Sequence, residues 1–294
     1  MDFVKIEALG NDYIYVDANA VKGCDLPSLA RQISNRRLGV GADGLITVEK
    51  ITNSTIRMAM YNADGSEGAM CGNGVRGSTF FAYKNLGMKS NKIRVLTKSR
   101  EVFVSLKESP KSNNLPLKQI RLTADMGVVS SGKNTLIIVE ELAKVGLYVD
   151  KRQVLHVNVG NPHLVFFEPN YSLTALTSAV SRSGLFPDGI NVERVFKIKN
   201  KSENESSLFM EVHERGSGKT LSCGSGAVAA AYAFSVYSYR PLDAKLKVGV
   251  TTEGGTLSVF FEGGKAFLSG EVREVFSGAY DESHFLENND EIKR

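Results

Sequence analysis

Short runs of alternating apolar and polar residues open the chain. Phe3-Val4-Lys5-Ile6 and Tyr13-Ile14-Tyr15-Val16 predict two strands around a turn at Gly10-Asn11-Asp12. Asp25 and Pro27, with Leu26, Leu29, Ala30 and Ile33 at helical spacing, predict a capped amphipathic helix. The glycine-rich turn from Gly39 to Gly44 leads to a strand at Leu45-Ile46-Thr47-Val48, and Thr55 to Tyr61 reads as another. Asn62 to Arg76 runs Asn-Ala-Asp-Gly-Ser-Glu-Gly-Ala-Met-Cys-Gly-Asn-Gly-Val-Arg, and Phe80, Phe81 and Tyr83 follow. That order predicts a loop turning into a helix, with Cys71 at the first turn and the helix reaching Leu86. Strands follow near Lys92–Leu96 and Glu101–Leu106, and the polar stretch Lys107 to Lys118 is the expected domain connection.

The second half repeats the first in the same order. Gly10-Asn11 before Ile14-Tyr15-Val16 recurs as Gly160-Asn161 before Leu164-Val165-Phe166, and Asp43-Gly44-Leu45 recurs as Asp188-Gly189-Ile190. Ile56 to Met60 matches Leu208 to Val212, Cys71 matches Cys223, and Lys92 to Val95 matches Lys245 to Val248. The spacing between partners is nearly constant, so the chain reads as two homologous, pseudo-symmetric domains of mixed α and β structure. The expected boundaries are 1–120, joined by the chain's end at 275–294, and 121–274. A last strand near Glu271 to Ser277 is expected to return to the first domain. Lys199 to Ser207 reads as a polar surface loop, and the charged tail from Asp281 as frayed.

Composition narrows the function classes. The 294 residues are 42% apolar and 23% charged, with a net charge of +4 and both signs interspersed. No basic block argues for nucleic acid, and the run Ala227 to Tyr239 falls short of the ~20 residues that span a bilayer. Charges interrupt the N-terminal segment where a signal peptide's apolar core would lie. With three cysteines a disulfide framework is not expected, and the expected compartment is the reducing cytoplasm.

The chemistry gathers at the duplicated cysteines. Cys71-Gly72-Asn73-Gly74 and Cys223-Gly224-Ser225-Gly226 each place a thiol at a helix start, where unpaired amides and the macrodipole favour negative charge. Such a position is expected to lower a thiol's pKa toward neutrality. Pseudo-symmetry would set the two loops on opposite sides of a cleft, where their amides could hold a carboxylate. One thiolate would then take an α-proton while the opposite thiol protonates the other face, inverting the stereocentre. The competing reading makes both cysteines small core residues under a helix start. Cys24 lies outside the repeat, and no role is expected for it.

At these residues the chain resembles the diaminopimelate epimerases, cofactor-free enzymes with a pair of catalytic cysteines. The resemblance is carried by Leu9-Gly10-Asn11-Asp12-Tyr13, Gly39 to Gly44, and Asn62 to Gly74 in the first half. In the second half it is carried by Gly160-Asn161-Pro162-His163, Asn191-Val192-Glu193, Glu214-Arg215-Gly216 and Thr220 to Gly226. It implies that each domain wraps a barrel-like β-sheet around a central helix, with the active site in the cleft between domains. It implies Cys71 and Cys223 as the acid/base pair, His163 and Glu214 supporting catalysis, and no metal or cofactor. The amides of Gly72, Asn73, Gly224 and Ser225 would hold the reacting carboxylate. Asn11, Asn62, Asn161, Asn191 and Arg215 would line the site, the last four reading the distal amino-acid end, with Glu214 near the reacting ammonium. The implied reaction interconverts LL- and meso-2,6-diaminopimelate in lysine and peptidoglycan precursor synthesis, by a cytoplasmic homodimer with a small-molecule partner and neither nucleic acid nor membrane. The alternative is a racemase or epimerase of proline, hydroxyproline or histidine on the same fold. Several positions depart from the family pattern: Glu7-Ala8, Tyr13, Gly44, Gly68-Ala69 and Ser225. At Gly44 some members carry a substrate-contacting Gln, so no side-chain contact can arise there.

Overall fold

A computed structural model of the chain describes residues 1–68, 71–106, 118–202, 205–239 and 246–281. It divides into two compact units. The first is Met1–Ala124 together with the chain's end from Glu271, and the second is Asp125–Gly270.

In the first unit β1 (Asp2–Ala8) and β2 (Asn11–Asp17) form the expected hairpin, with Val4 opposite Tyr15. Leu9 and Gly10 turn the corner with φ of 56° and 89°, a conformation that glycine adopts without strain. The helix α1 (Leu26–Ile33) crosses to β3 (Gly44–Thr52), which pairs with β2 in parallel. Next come β4 (Thr55–Asn62), the two-residue β5 (Glu67–Gly68), α2 (Gly72–Asn85), β6 (Lys92–Leu96), β7 (Glu101–Leu106) and β8 (Gln119–Val128). β3 and β4 are antiparallel, β4 and β6 parallel, and β6, β7 and β8 antiparallel in turn. Glu274 N donates to Lys118 O across β8 and the last strand, and that strand pairs back to β1, with Asp2 opposite Ala279. The sheet of this unit therefore closes on itself.

The second unit repeats this pairing order. It contains β9 (Ser130–Ser131), α3 (Thr135–Lys144), β10 (Val154–Asn158), β11 (Pro162–Phe167), α4 (Leu173–Arg182), β12 (Asn191–Ser202) and β13 (Glu205–Glu214). Then follow β14 (Gly218–Thr220), α5 (Gly224–Tyr237), β15 (Lys247–Thr252), β16 (Gly255–Glu262) and β17 (Lys265–Ala279). β10 and β11 are antiparallel, β11 and β12 parallel, β12 and β13 antiparallel, and β13 and β15 parallel, as in the first unit. The duplication seen in the sequence is thus a duplication of strand order and direction.

Each barrel-like sheet packs around one helix. Residues Asn73 to Ala82 of α2 are buried in an unbroken run, and α5 is buried almost all round. A helix buried on every side is a core element, which explains why neither shows an amphipathic stripe. Both need small residues where strands come close. A Cβ at Gly77 would stand 2.0 Å from Tyr15 Oη, and one at Gly74 would stand 3.0 Å from Ile46 Cδ1. By contrast α1 and α4 bury one face only, through Leu29, Ala30 and Ile33, and through Leu173, Leu176, Ala179 and Val180. These apolar clusters seal the outer flank of each sheet.

Lys199 to Ser207 is not simply a loop. β12 runs to Ser202 and β13 starts at Glu205, with Lys199 opposite Ser207 and irregular register on both sides. The backbone ladder continues through polar residues, because the strand's hydrogen bonds come from the main chain. Most of the expected connection at Lys107 to Lys118, and nearly all of the tail from Asp281, lie outside the described residues. Among the described residues no helix is long and apolar enough to cross a membrane.

Candidate active site

Cys71 and Cys223 occupy the same place in their units. Cys71 is the residue before α2, with φ −131° and ψ 125°, and Cys223 precedes α5 with φ −126° and ψ 118°. Both are extended residues whose carbonyls accept the first intrahelical bonds, from Val75 N and Ala227 N, each at 2.9 Å. The amides ahead of these, at Gly72, Asn73 and Gly74 and at Gly224 and Ser225, belong to a first turn that has no carbonyl behind it. They are the donors an anionic group would meet.

Around Cys71 the first unit builds a polar relay. Asn73, buried on α2, donates to Asn11 Oδ1 at 2.6 Å, and Asn11 Nδ2 donates to Asp43 Oδ2 at 3.3 Å. Arg76 is completely buried one turn along and donates to Asn73 Oδ1 at 2.6 Å. Arg36 grips Asp12 through both amino groups, at 2.6 and 3.0 Å, and reaches Asp43 at 2.9 Å, which ties down the loop ahead of β3. The Tyr13 phenol shares a hydrogen bond with Cys71, and charge at that sulfur together with burial holds it well above its usual pKa. Asn62 ends β4 opposite Gly44 and donates to Ser66 Oγ at 2.9 Å. A Cβ at Gly44 would stand 2.1 Å from Tyr61 O, so the backbone there admits only glycine without moving.

The second unit builds a different set. Cys223 is 4% exposed, and its Sγ accepts from Gly226 N at 3.3 Å and lies 3.5 Å from Ser225 Oγ. Asn161 Nδ2 donates to Ser225 Oγ at 3.4 Å, and its Oδ1 lies 3.0 Å from His163 Nε2. His163 Nδ1 is 2.5 Å from Glu193 Oε1, with both side chains buried. Asn191 sits opposite His163 in the β11–β12 register, donates to Pro162 O at 2.8 Å and accepts from Arg215 N at 3.0 Å. Glu214 ends β13 and accepts from Thr220 Oγ1 at 2.6 Å.

The expected drop in thiol pKa does not hold at Cys223. Burial pushes this thiol well above its ordinary value, with Glu214 and Glu193 adding to the effect and the Ser225 and Gly226 donors only opposing it. Removal from water and two nearby carboxylates outweigh a helix start. At rest Cys223 therefore carries its proton.

Within the first unit the structure joins Asn11 and Asn73 in the first turn after Cys71, while Asn62 bonds to Ser66 instead. Within the second it joins Cys223, Ser225, Asn161 and His163, and separately Asn191 and Arg215, with Glu214 acting electrostatically on Cys223. Sequence reasoning gave no role to Arg76, Glu193, Tyr13 or Thr220. Glu193 carried a readable signal, since it lies two residues beyond Asn191 and so on the same face of β12. Among the described residues no group of three or more His, Cys, Asp and Glu stands ready to hold a metal.

The fold is that of the phenazine-biosynthesis and amino-acid epimerase structures, built from two like barrels around central helices. A Bacillus anthracis phenazine biosynthesis protein of the PhzF family superposes with a TM-score of 0.64 at 14% identity, covering 95% of this chain and 98% of its own. The diaminopimelate epimerase family model matches residues 3–127 and 155–275, and the chain belongs to that family. It is 33% identical over 288 residues to a diaminopimelate epimerase of Caldanaerobacter subterraneus subsp. tengcongensis, covering 95% of this chain and 98% of that one. A diaminopimelate epimerase of Geobacillus thermodenitrificans is 32% identical over 296 residues, at 95% and 96% coverage.

Proposed function

We propose that this chain interconverts LL- and meso-2,6-diaminopimelate, with Cys71 and Cys223 as a two-thiol acid/base pair. The observation that carries the reading is the matched pair of cysteines, each before a buried helix, in a member of this family. The chemistry needs both thiols to reach one α-carbon from opposite faces. The Cys71 thiolate removes the α-proton, and the electron pair left behind delocalises into the carboxylate held by helix-start amides. Cys223 then delivers its proton to the other face, leaving Cys71 as thiol and Cys223 as thiolate. No proton is gained or lost overall. The protonated state that burial imposes on Cys223 supports its part as the acid in this direction.

The other residues fit a substrate with two amino-acid ends. Asn62, Asn161, Asn191 and Arg215 supply the donors and acceptors for the distal end, Asn11 lines the site, and Glu214 accepts from the reacting ammonium. His163 supports catalysis through Asn161 and Ser225. In this reading no cofactor takes part. The reading extends to a cytoplasmic homodimer serving lysine and peptidoglycan precursor synthesis, and light scattering of the purified chain tests the dimer. Incubation in deuterium oxide with diaminopimelate, proline or histidine, followed by NMR at the α-carbon, tests the substrate. Exchange is expected with diaminopimelate alone, and exchange confined to proline or histidine would overturn the reading.

A further inference from the structure

A fully buried arginine is expensive unless something negative answers it. Arg76 is completely buried in the first half of α2, and only its Nη2 is bonded, to Asn73 Oδ1 at 2.6 Å. Its Nε and Nη1 are buried without a partner. Burial lowers the guanidinium to about 10, which still leaves it charged at neutral pH. The groups that draw its pKa back up are Cys71 first and Tyr15 second. Tyr15 cannot serve as the anion, because burial holds its phenol well above the usual value. Cys71 remains, five residues earlier, as the N-cap of the same helix.

We propose that Arg76 is a positioning residue for Cys71: a buried cation that keeps the thiol ionised and, through Asn73, fixes the helix start that carries it. The two roles use different parts of the side chain. Nη2 sets the Asn73 amide, which in turn holds Asn11, while Nε and Nη1 are buried without a partner and so leave the charge uncompensated by hydrogen bonds. The second unit has no such cation in the corresponding place. Glu193 lies against its helix start instead, with Oε1 2.8 Å from where a Cβ on Gly226 would be. A cation acting on Cys71 and two carboxylates acting on Cys223 push the two thiols toward opposite protonation states. Such a pair needs no prior proton transfer before it can act on a substrate.

The inference deepens the proposed acid/base reading, but its test reads the thiol directly and requires no turnover. The rate of Cys71 alkylation by iodoacetamide is followed against pH, with peptide mass mapping to separate the three cysteines. In the unmodified protein the midpoint for Cys71 is expected below the ~8.5 of a free thiol. Arg76→Gln is expected to raise that midpoint by a full pH unit or more, and Arg76→Lys to restore most of the difference. A Cys71 midpoint at or above the free-thiol value in the unmodified protein overturns the proposal, whether or not a variant folds. So does an Arg76→Gln midpoint that stays where it was, or an Arg76→Lys midpoint shifted as far as that of Arg76→Gln. Loss of diaminopimelate turnover with these midpoints as expected would count against the substrate assignment and leave the role of Arg76 standing.

Discussion

Glu193 Oε1 lies 2.5 Å from His163 Nδ1, and neither side chain is exposed to water. Asn161 Oδ1 faces the other ring nitrogen at 3.0 Å, which keeps a proton on Nε2. Burial pushes Glu193 up, His163 pulls it back, and its second oxygen has no partner. Glu193→Ala strips the ring of that partner and is expected to cost about 3–5 kcal/mol, by analogy with other broken buried pairs. Glu193→Gln keeps the shape and an acceptor, with an expected cost of about 1–3 kcal/mol. Urea denaturation at neutral pH separates them, and equal losses would mean the pair contributes only packing.

Replacing either Cys71 or Cys223 by Ala is expected to lower epimerisation by a factor of 10² or more, the usual contribution of a positioned acid or base. Stability should change little at Cys71, which is only partly buried. The measurement is turnover followed by chiral chromatography, beside a thermal melt. A variant that keeps full turnover would exclude the two-thiol route.

The two thiols should also differ in reactivity. Burial with Glu214 and Glu193 nearby raises the Cys223 pKa, so its alkylation should be slow at neutral pH and should accelerate only above the ordinary thiol range. Glu214→Gln removes one of those charges and is expected to shift the Cys223 midpoint downward. An unchanged midpoint would leave burial as the whole cause.

At Gly77 the helix touches a phenol. Alanine normally favours a helix interior by about 1 kcal/mol over glycine. Here its Cβ would fall 2.0 Å from Tyr15 Oη and 2.5 Å from Cζ, so Gly77→Ala is expected to destabilise by about 1–3 kcal/mol. Tyr15→Phe in the same chain should recover part of that loss. Thermal melts of the single and double variants measure the coupling.

Asp12 carries a pH dependence of known sign. Burial alone would raise its carboxyl, but Arg36 and Lys5 outweigh that and hold it below the ordinary value. A depressed carboxyl stabilises the fold above the unfolded value of ~3.9 and loses that contribution as pH falls through the folded value. Asp12→Asn should therefore be less stable than the parent near neutrality, with the gap closing in acid. A gap that is constant with pH would assign the effect to shape alone.

Much of the fold could be read from the chain because both helix starts and most strands follow local rules. Asp25 is the N-cap of α1 and Pro27 lies in its first turn, and the alternation at Phe3 to Val16 places β1 and β2 within a residue or two. The repeat from Cys71 to Cys223 is a pattern in sequence before it is a pattern in space. What could not be read depends on register across strands. Nothing local says that Glu193 and Arg76 are buried. Glu193 is buried because β12 runs between β11 and β13, with Glu193 opposite Val165 and Val212, and Arg76 because α2 is enclosed on every side. For the same reason a rule about helix starts misjudged Cys223, whose neighbours arrive from β12 and β13.

The pairing of β1 with the end of β17 also bears on the order of synthesis. Asp2 pairs with Ala279, so it is made 277 residues ahead of its partner (279 − 2 = 277). At the ordinary pace of ~5–20 residues per second, β1 waits on the order of tens of seconds for its neighbour. Throughout that interval the first-made unit holds an unpaired strand edge, and every residue of the later-made unit is synthesised before that edge can close. The half of the protein that is translated first is thus the half that finishes last.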